Sequence, residues 1–238
     1  MSISTADDKN ANYEALKETA LSLGAAVFGV ADISSDEVRK SAGISGEITG
    51  GVLDRAVVFG VALSRKILET VKDRPNQIYY FHYQRTNILI DHIALRLNAK
   101  IQKAGYQSFP VAASQITDWE KQRAAADHRE LARLAGIGRR GRNNLVVSPL
   151  YGAGLRFGTV FTDMPLVCDS PVAVNDCGGC RLCIELCPAG AIKENSFDRD
   201  ACYQKLKEFM KTERLGQMIC GVCVRACPAP ALHTRSKK

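Results

Sequence analysis

The sequence is 238 residues long, 46% hydrophobic and 24% charged, with a net charge of +7. This composition excludes a disordered chain, and the length suffices for a buried core. The opening residues MSISTADDKN are polar where a secretory leader needs basic and then apolar residues, and the longest uncharged apolar run, over residues 20–31, is too short to span a bilayer. We therefore expect a soluble, cytoplasmic protein with no membrane insertion.

Alternating helices and strands are predicted along the first two thirds of the chain. In NYEALKETALSLG, Leu16, Ala20 and Leu23 share one helical face, and Gly24 is a helix stop. The runs AAVFGVA and AVVFGVAL are short, apolar and rich in valine, so both predict buried strands. These elements indicate a layered α/β domain.

A long amphipathic helix is predicted over residues 81–104 and is closed by Gly105. Its apolar residues recur every three or four positions: Ile90, Ile93, Leu97 and Ile101. A further helix is predicted in HRELARLAG, followed by strands over residues 145–148 and 155–162.

The composition changes at CDSPVAVND, which predicts a linker and a domain boundary. We predict an α/β (α+β) layered domain over residues 1–167. The second predicted domain, over residues 168–238, is small, cysteine-rich and ferredoxin-like.

The cysteine-rich domain contains two related runs. CGGCRLCIELCP has the C-x2-C-x2-C-x3-C-P spacing of bacterial ferredoxins, whose fourth cysteine binds the other of two [4Fe–4S] clusters. QMICGVCVRACP aligns with it position for position, except that Gln217 stands in the place of Cys177. Cys202, between the runs, is the natural replacement for the missing ligand, and Cys168 is left over as an ordinary buried or free thiol.

Two crossed ligand sets follow from this repeat. The first set is Cys177, Cys180, Cys183 and Cys227; the second set is Cys187, Cys202, Cys220 and Cys223. A disulfide framework needs an oxidising compartment, for which no leader is seen. Structural zinc prefers two separated cysteine pairs and does not explain two C-x3-C-P endings. The sequence therefore predicts two [4Fe–4S] clusters.

A glycine-rich loop precedes the predicted strand at residues 145–148. It consists of Gly136, Ile137, Gly138, Arg139, Arg140 and Gly141. The loop matches G-x-G-x-x-G, but it follows a helix and precedes a strand, which is the reverse of a dinucleotide site. Glycines beside arginines can still admit a bulky or anionic ligand, so the loop is a candidate cofactor-binding segment.

Basic residues are concentrated around this loop: Lys121, Arg123, Arg129, Arg133, Arg139, Arg140 and Arg142. Such a cluster can contact the phosphates of RNA or of an anionic cofactor. A plain solvated surface explains it equally well.

The segment LARLAGIGRRGRNNLVVSPLYGAGLRFGTVFTDMPL, followed by the eight-cysteine pattern, resembles the epoxyqueuosine reductases, which share their architecture with the reductive dehalogenases. The resemblance implies a nitroreductase-like domain that binds cobalamin, and two clusters that pass it electrons from a low-potential donor such as ferredoxin or flavodoxin. It also supports Cys202 as a cluster ligand. FMN is the alternative cofactor, because nitroreductase-like domains also carry it. An RNA substrate is a weaker expectation, since this sequence ends where the tRNA-modifying relatives continue into a helical-repeat region.

The resemblance also suggests catalytic residues. The family has its catalytic aspartate upstream of the glycine-rich loop, where this sequence reads EKQRAAADHRELARLAG. His128 falls on the aspartate position and Asp127 lies one residue earlier, so both are candidate proton donors. A histidine that opens a helix is also often a solvated or capping residue. Two functions remain open: a corrinoid-dependent reductase, and an electron-transfer or corrinoid-handling protein without substrate chemistry of its own.

Overall fold

The computed structural model describes residues 5–44, 46–114, 116–118, 120, 124–172 and 177–227. The chain forms two compact units, each assembled from separate stretches of sequence. The first unit comprises Met1–Val61, Asn87–Ile137 and Arg156–Ala173; the second comprises Ala62–Thr86, Gly138–Leu155 and Val174–Lys238. The domain boundary predicted between residues 167 and 168 stays a prediction.

Helices and strands alternate along the chain. The helices are α1 (Ala6–Ser22), α2 (Asp36–Ser41), α3 (Gly46–Thr49), α4 (Arg65–Leu68), α5 (Gln77–Lys103), α6 (His128–Leu134), α7 (Leu182–Leu186), α8 (Arg199–Thr212) and α9 (Val222–Ala226). The strands are β1 (Val27–Asp32), β2 (Arg55–Ala62), β3 (Ser108–Val111), β4 (Arg139–Arg140), β5 (Val146–Val147) and β6 (Leu155–Thr162). Among the described helices, none is long and apolar enough to cross a membrane.

A four-stranded sheet in the order β1-β2-β6-β3 lies at the centre of the first unit. β1 pairs with β2 and β3 pairs with β6, both antiparallel, with Phe28 opposite Phe59 and Phe109 opposite Phe161. Pro110 lies in β3, at the edge of the sheet. An edge strand tolerates proline because one side of its backbone needs no ladder hydrogen bonds.

The sheet is covered by helices, as the sequence predicts. Leu16 and Ala20 of α1 are fully buried in the same core cluster as Phe59 and Val160 of the sheet. The apolar stripe predicted for the long helix is buried there too: Ile90, Ile93, Leu97 and Ile101. The predicted layered α/β fold is thus confirmed.

The structure differs from the prediction in three elements. The long helix begins at Gln77, because Asn76 Oδ1 accepts a hydrogen bond from the Tyr79 backbone N–H at 2.9 Å and so caps an earlier turn. β3 was not predicted, since its short run SFPV contains a proline. Only Val146–Val147 of the predicted strand over 145–148 pairs as a strand, with β4 of the glycine-rich loop as its partner.

The second unit has its own apolar core. It contains Leu63, Leu68, Val71, Tyr79, Leu215, Ile219 and Val222. Val222 is the first residue of α9, and the adjacent Gly221 has a left-handed φ of +82°. A Cβ on Gly221 would lie 2.6 Å from the ring of Tyr79. Only glycine therefore allows this turn to pack against α5.

Candidate metal centre

The two cysteine runs adopt the same local structure. In the first run, α7 ends at Cys187, and in the second α9 ends at Cys227; both residues are extended C-caps. A cysteine lies at the same position of each short helix, Cys183 on α7 and Cys223 on α9. The sequence repeat is thus also a structural repeat, and α7 and α9 contact each other.

The thiols of the first predicted set interact with one another. Cys227 interacts electrostatically with Cys177, Cys183 and Cys180, although it lies in the other run. Burial, with these three thiols acting in the same direction, raises the pKa of Cys227 to about 11. Cys183 interacts with Cys177 and Cys180 in the same way.

The thiols of the second predicted set form a second group. Cys202, on α8, interacts with Cys187, and Cys220 interacts with both. Cys223 interacts with these three thiols and, more weakly, with Cys183 of the other set; burial is the main reason that its pKa is raised. The eight cysteines therefore divide into the two crossed groups that the ferredoxin spacing predicts.

The described residues provide no single-ion site of three or more His, Cys, Asp or Glu side chains. A [4Fe–4S] cluster makes a different demand, because each of its four thiolates binds a different iron. Eight thiols in two groups of four meet the demand of two such clusters. Cys168 lies apart, half-buried against the core of the first unit.

Two arginines, one in the glycine-rich loop and one directly after it, contact the first cysteine turn. Arg139 Nη1 lies 3.1 Å from Cys177 Sγ. Arg142 donates to the carbonyl oxygens of Gly178 and Cys180 at 3.1 and 3.0 Å, and it pairs with Glu194 at 2.8 Å. Sequence reasoning missed these contacts; the only available signal was the excess of arginine in GRRGRN.

Close packing within the protein explains why the predicted cofactor loop has glycine at three positions. In the first unit, a Cβ on Gly136 would lie 2.9 Å from the Ser170 carbonyl oxygen, and φ is +71°. In the second unit, a Cβ on Gly138 would lie 2.7 Å from the Val147 carbonyl oxygen, and one on Gly141 would lie 2.6 Å from the Val147 side chain. The protein's own atoms therefore account for the glycines.

The remaining loop residues are also engaged within their own units. Ile137 is buried, and its N–H donates to the Ala132 carbonyl at 2.9 Å. Arg140 Nε donates to Asn144 Oδ1 at 2.9 Å. Their assignment to cofactor binding, like that of the whole loop, stays a prediction.

His128 is held by two hydrogen bonds at the start of α6. Its Nε2 lies 3.3 Å from the Ala112 carbonyl oxygen and its Nδ1 lies 2.8 Å from Thr159 Oγ1. A carbonyl can only accept, so Nε2 carries the proton and Nδ1 accepts from the hydroxyl. Burial lowers the pKa of His128 to about 4. The imidazole is therefore neutral at physiological pH.

Asp127 caps α6. Its carboxylate accepts hydrogen bonds from the Arg129 backbone N–H and from Arg129 Nε, each at 2.9 Å. Both candidate proton donors are thus engaged within the first unit, and their catalytic role stays a prediction.

Comparisons with known proteins agree with this arrangement. Residues 176–230 match the family model described as a 4Fe-4S double cluster binding domain. An epoxyqueuosine reductase of Bacillus cereus is 34% identical over 109 residues, which are 42% of this chain and 28% of that protein. The tetrachloroethene reductive dehalogenase of Sulfurospirillum multivorans is 25% identical over 193 residues, 74% of this chain and 35% of the dehalogenase.

A solved reductive dehalogenase shares the fold. Its structure, titled "Reductive dehalogenase structure suggests a mechanism for B12-dependent dehalogenation", superimposes with a TM-score of 0.74 at 21% identity and covers 100% of this chain and 35% of that one. The chain thus spans less than half the length of the curated relatives that it matches, 28% of the reductase and 35% of the dehalogenase. The predicted resemblance is confirmed: the chain is similar to epoxyqueuosine reductases and reductive dehalogenases, and residues 176–230 match a 4Fe-4S double cluster binding domain.

Proposed function

We propose that the chain is an iron–sulfur oxidoreductase whose two clusters are bound by the crossed cysteine sets. The observation that carries this proposal is the division of the eight thiols into two groups, each of which draws on both runs. Clusters of this type supply one-electron transfer, with potentials set by their protein surroundings. The protein's part is to hold each set of thiols in place, and the α7–α9 repeat does so.

The proposed electron acceptor is a corrinoid bound in the predicted domain over residues 1–167, with a low-potential ferredoxin or flavodoxin as donor. Support comes from the fold, which is that of a B12-dependent dehalogenase over the whole chain. The loop itself adds no support, because internal packing accounts for its glycines. We therefore assign no chemical step to the loop residues.

One observation favours the second candidate, an electron-transfer or corrinoid-handling protein. A proton donor for reductive cleavage must release a proton near neutral pH. His128 is neutral there and bonded at both ring nitrogens, and Asp127 is paired with Arg129. Neither group is prepared to donate a proton in this arrangement.

Metal analysis of anaerobically reconstituted protein tests the cluster proposal. We expect about eight irons and eight sulfides per chain. Cys202→Ser should lose or convert one cluster, whereas Cys168→Ser, the matched control, should keep the full content. About four irons in the parent protein, or a loss caused by Cys168→Ser alone, would contradict the ligand assignment.

Electron paramagnetic resonance tests the corrinoid proposal. Cob(II)alamin titrated into the anaerobic, cluster-loaded protein should change its signal as the axial ligation changes, and a parallel titration with FMN tests the alternative cofactor. If the corrinoid binds, His128→Ala separates proton donation from binding. A variant that has lost a proton donor should lose turnover and keep its affinity for the corrinoid. No corrinoid binding at micromolar concentration, with both clusters present, rejects the reductase and leaves the electron carrier.

A further inference from the structure

The guanidinium of Arg139 is directed at a cluster ligand. Its Nη1 lies 3.1 Å from Cys177 Sγ, and both residues belong to the second unit. Arginine is cationic at every accessible pH, and hydrogen bonds from an ionised donor are about twice as strong as neutral ones. The contact therefore places a fixed positive charge beside one sulfur of the first cysteine set, that of Cys177.

The backbone around Arg139 is rigid. Arg139 lies in β4, opposite Val147 of β5, and the connecting turn is closed by hydrogen bonds from the Gly141 N–H to Leu145 and from the Asn144 N–H to Gly141. Gly138, directly before β4, fits against the Val147 carbonyl only because it has no side chain. The strand pair thus fixes the position from which the arginine side chain extends.

The cysteine turn is fixed from the other side. Arg142 binds the carbonyl oxygens of Gly178 and Cys180, and Glu194 holds both Arg142, at 2.8 Å, and Arg181, at 3.1 Å. The side chain of Arg142 is only 11% exposed, and three partners hold its guanidinium in one place. Arg142 therefore keeps Cys177 within reach of Arg139.

We propose that Arg139 is a positioning residue that raises the reduction potential of the first cluster. This inference rests on the proposed function, since it takes Cys177 as a ligand. Reduction adds one electron, and so one negative charge, to the cluster and its four thiolates. A cation and a hydrogen bond at a ligand sulfur stabilise the more negative, reduced state, and hydrogen bonds to the sulfurs are a principal determinant of cluster potentials. Because Arg139 contacts a thiol of the first set, its effect should fall mainly on the first cluster.

The test is a redox titration of the reconstituted protein followed by electron paramagnetic resonance. Arg139→Gln removes the charge. At a fixed potential, its first cluster should show an about tenfold lower ratio of reduced to oxidised form, equivalent to a 59 mV fall for a one-electron couple. The other cluster should keep its potential. Arg74→Gln is the matched control, because it removes an equal charge from an arginine paired with Asp73 and Glu213.

Each outcome separates this inference from the cluster proposal. An iron content below two clusters in the parent protein contradicts the ligand assignment, whatever the potentials. With both clusters present, an unchanged potential in Arg139→Gln, or an equal fall in both clusters or in Arg74→Gln, overturns the role of Arg139. If Arg139→Gln loses the cluster, Arg139→Met, which fills similar space without a charge or a donor, decides: a fall confined to the first cluster supports the role, and unchanged potentials overturn it.

Discussion

Asp169 Oδ2 accepts a hydrogen bond from the backbone N–H of Val30 at 2.8 Å, and the Asp169 N–H donates to the Val30 carbonyl at the same distance. The same carboxylate accepts from the Tyr13 hydroxyl of α1 at 3.1 Å. Val30 is fully buried in β1. The Asp169 side chain thus joins the last stretch of the first unit to two other elements of that unit, helix α1 and the edge strand β1.

Asp169→Ala should therefore destabilise the first unit. The Val30 N–H would remain buried without an acceptor, which costs about 2 kcal/mol. The midpoint of urea unfolding of the cluster-loaded protein, followed by circular dichroism, measures this change. Tyr13→Phe removes only the hydroxyl and should cost about half as much. Equal losses in both variants would show that the Val30 contact contributes nothing.

Gly158 is required by the packing of the sheet against α5. A Cβ at this position would lie 2.5 Å from Phe59 Cζ and 2.6 Å from Ile90 Cγ2, and both side chains are fully buried. Gly158→Ala should cost about 3 kcal/mol, because neither neighbour can move within a close-packed core. Gly46→Ala is the control, since a Cβ there meets no atom of the described residues within 4 Å. A similar unfolding midpoint for both variants would contradict this packing.

The lowered pKa of the half-buried His128 predicts a pH dependence of stability. Its folded pKa of about 4 lies below the ordinary 6.5, so the unfolded chain binds the proton first as the pH falls. The contribution is complete above pH 6.5 and is lost progressively between pH 6.5 and 4. From pH 7.5 to 5.5 the loss is about 1 kcal/mol.

His128→Gln should abolish this part of the pH dependence, because the amide does not titrate. Unfolding of the cluster-loaded protein at pH 7.5, 6.5 and 5.5 gives the slope for the parent and the variant. His92→Gln, on the exposed face of α5, should retain the slope of the parent. Identical slopes for the parent and His128→Gln would show that His128 titrates normally.

The elements predicted correctly from the sequence are those whose patterns report burial. The stripe from Ile90 to Ile101 and the valine-rich strands predict α5, β1 and β2, because helix and strand periods determine which residues can face one core. The two cysteine ligand sets stay a prediction, and they rest on a related principle: the spacing of a cluster motif reflects the geometry of the cluster.

What the sequence did not predict depends on contacts between distant residues. Arg139 and Cys177 meet through the β4–β5 pair and the clamp by Arg142, and no local pattern encodes that contact. The glycines of GIGRRG were interpreted as room for a ligand, whereas close packing against Ser170 and Val147 accounts for them. Local sequence shows that a position requires glycine without showing which neighbour requires it.

Gln217 gives a direct test of the crossed arrangement. In the second run it stands where Cys177 stands in the first, and its Oε1 is buried without a hydrogen-bond partner in the described part of the chain. A cysteine at this position would restore the full four-cysteine motif. Cys202→Ser should reduce the iron content from about eight to about four, and adding Gln217→Cys should restore about eight.

Iron and sulfide analysis with electron paramagnetic resonance measures this rescue after anaerobic reconstitution. Gln217→Ser is the control, because serine is similar in size to cysteine but provides no thiolate. This variant should not rescue Cys202→Ser. The repeat makes the expectation specific, since Gln217 precedes Cys220 by the same interval that separates Cys177 from Cys180. If Gln217→Cys leaves the content near four irons while Cys202→Ser retains the first cluster, Gln217 does not lie at a ligand position. The position of Cys177 in the first run would then have no structural equivalent at Gln217 in the second run.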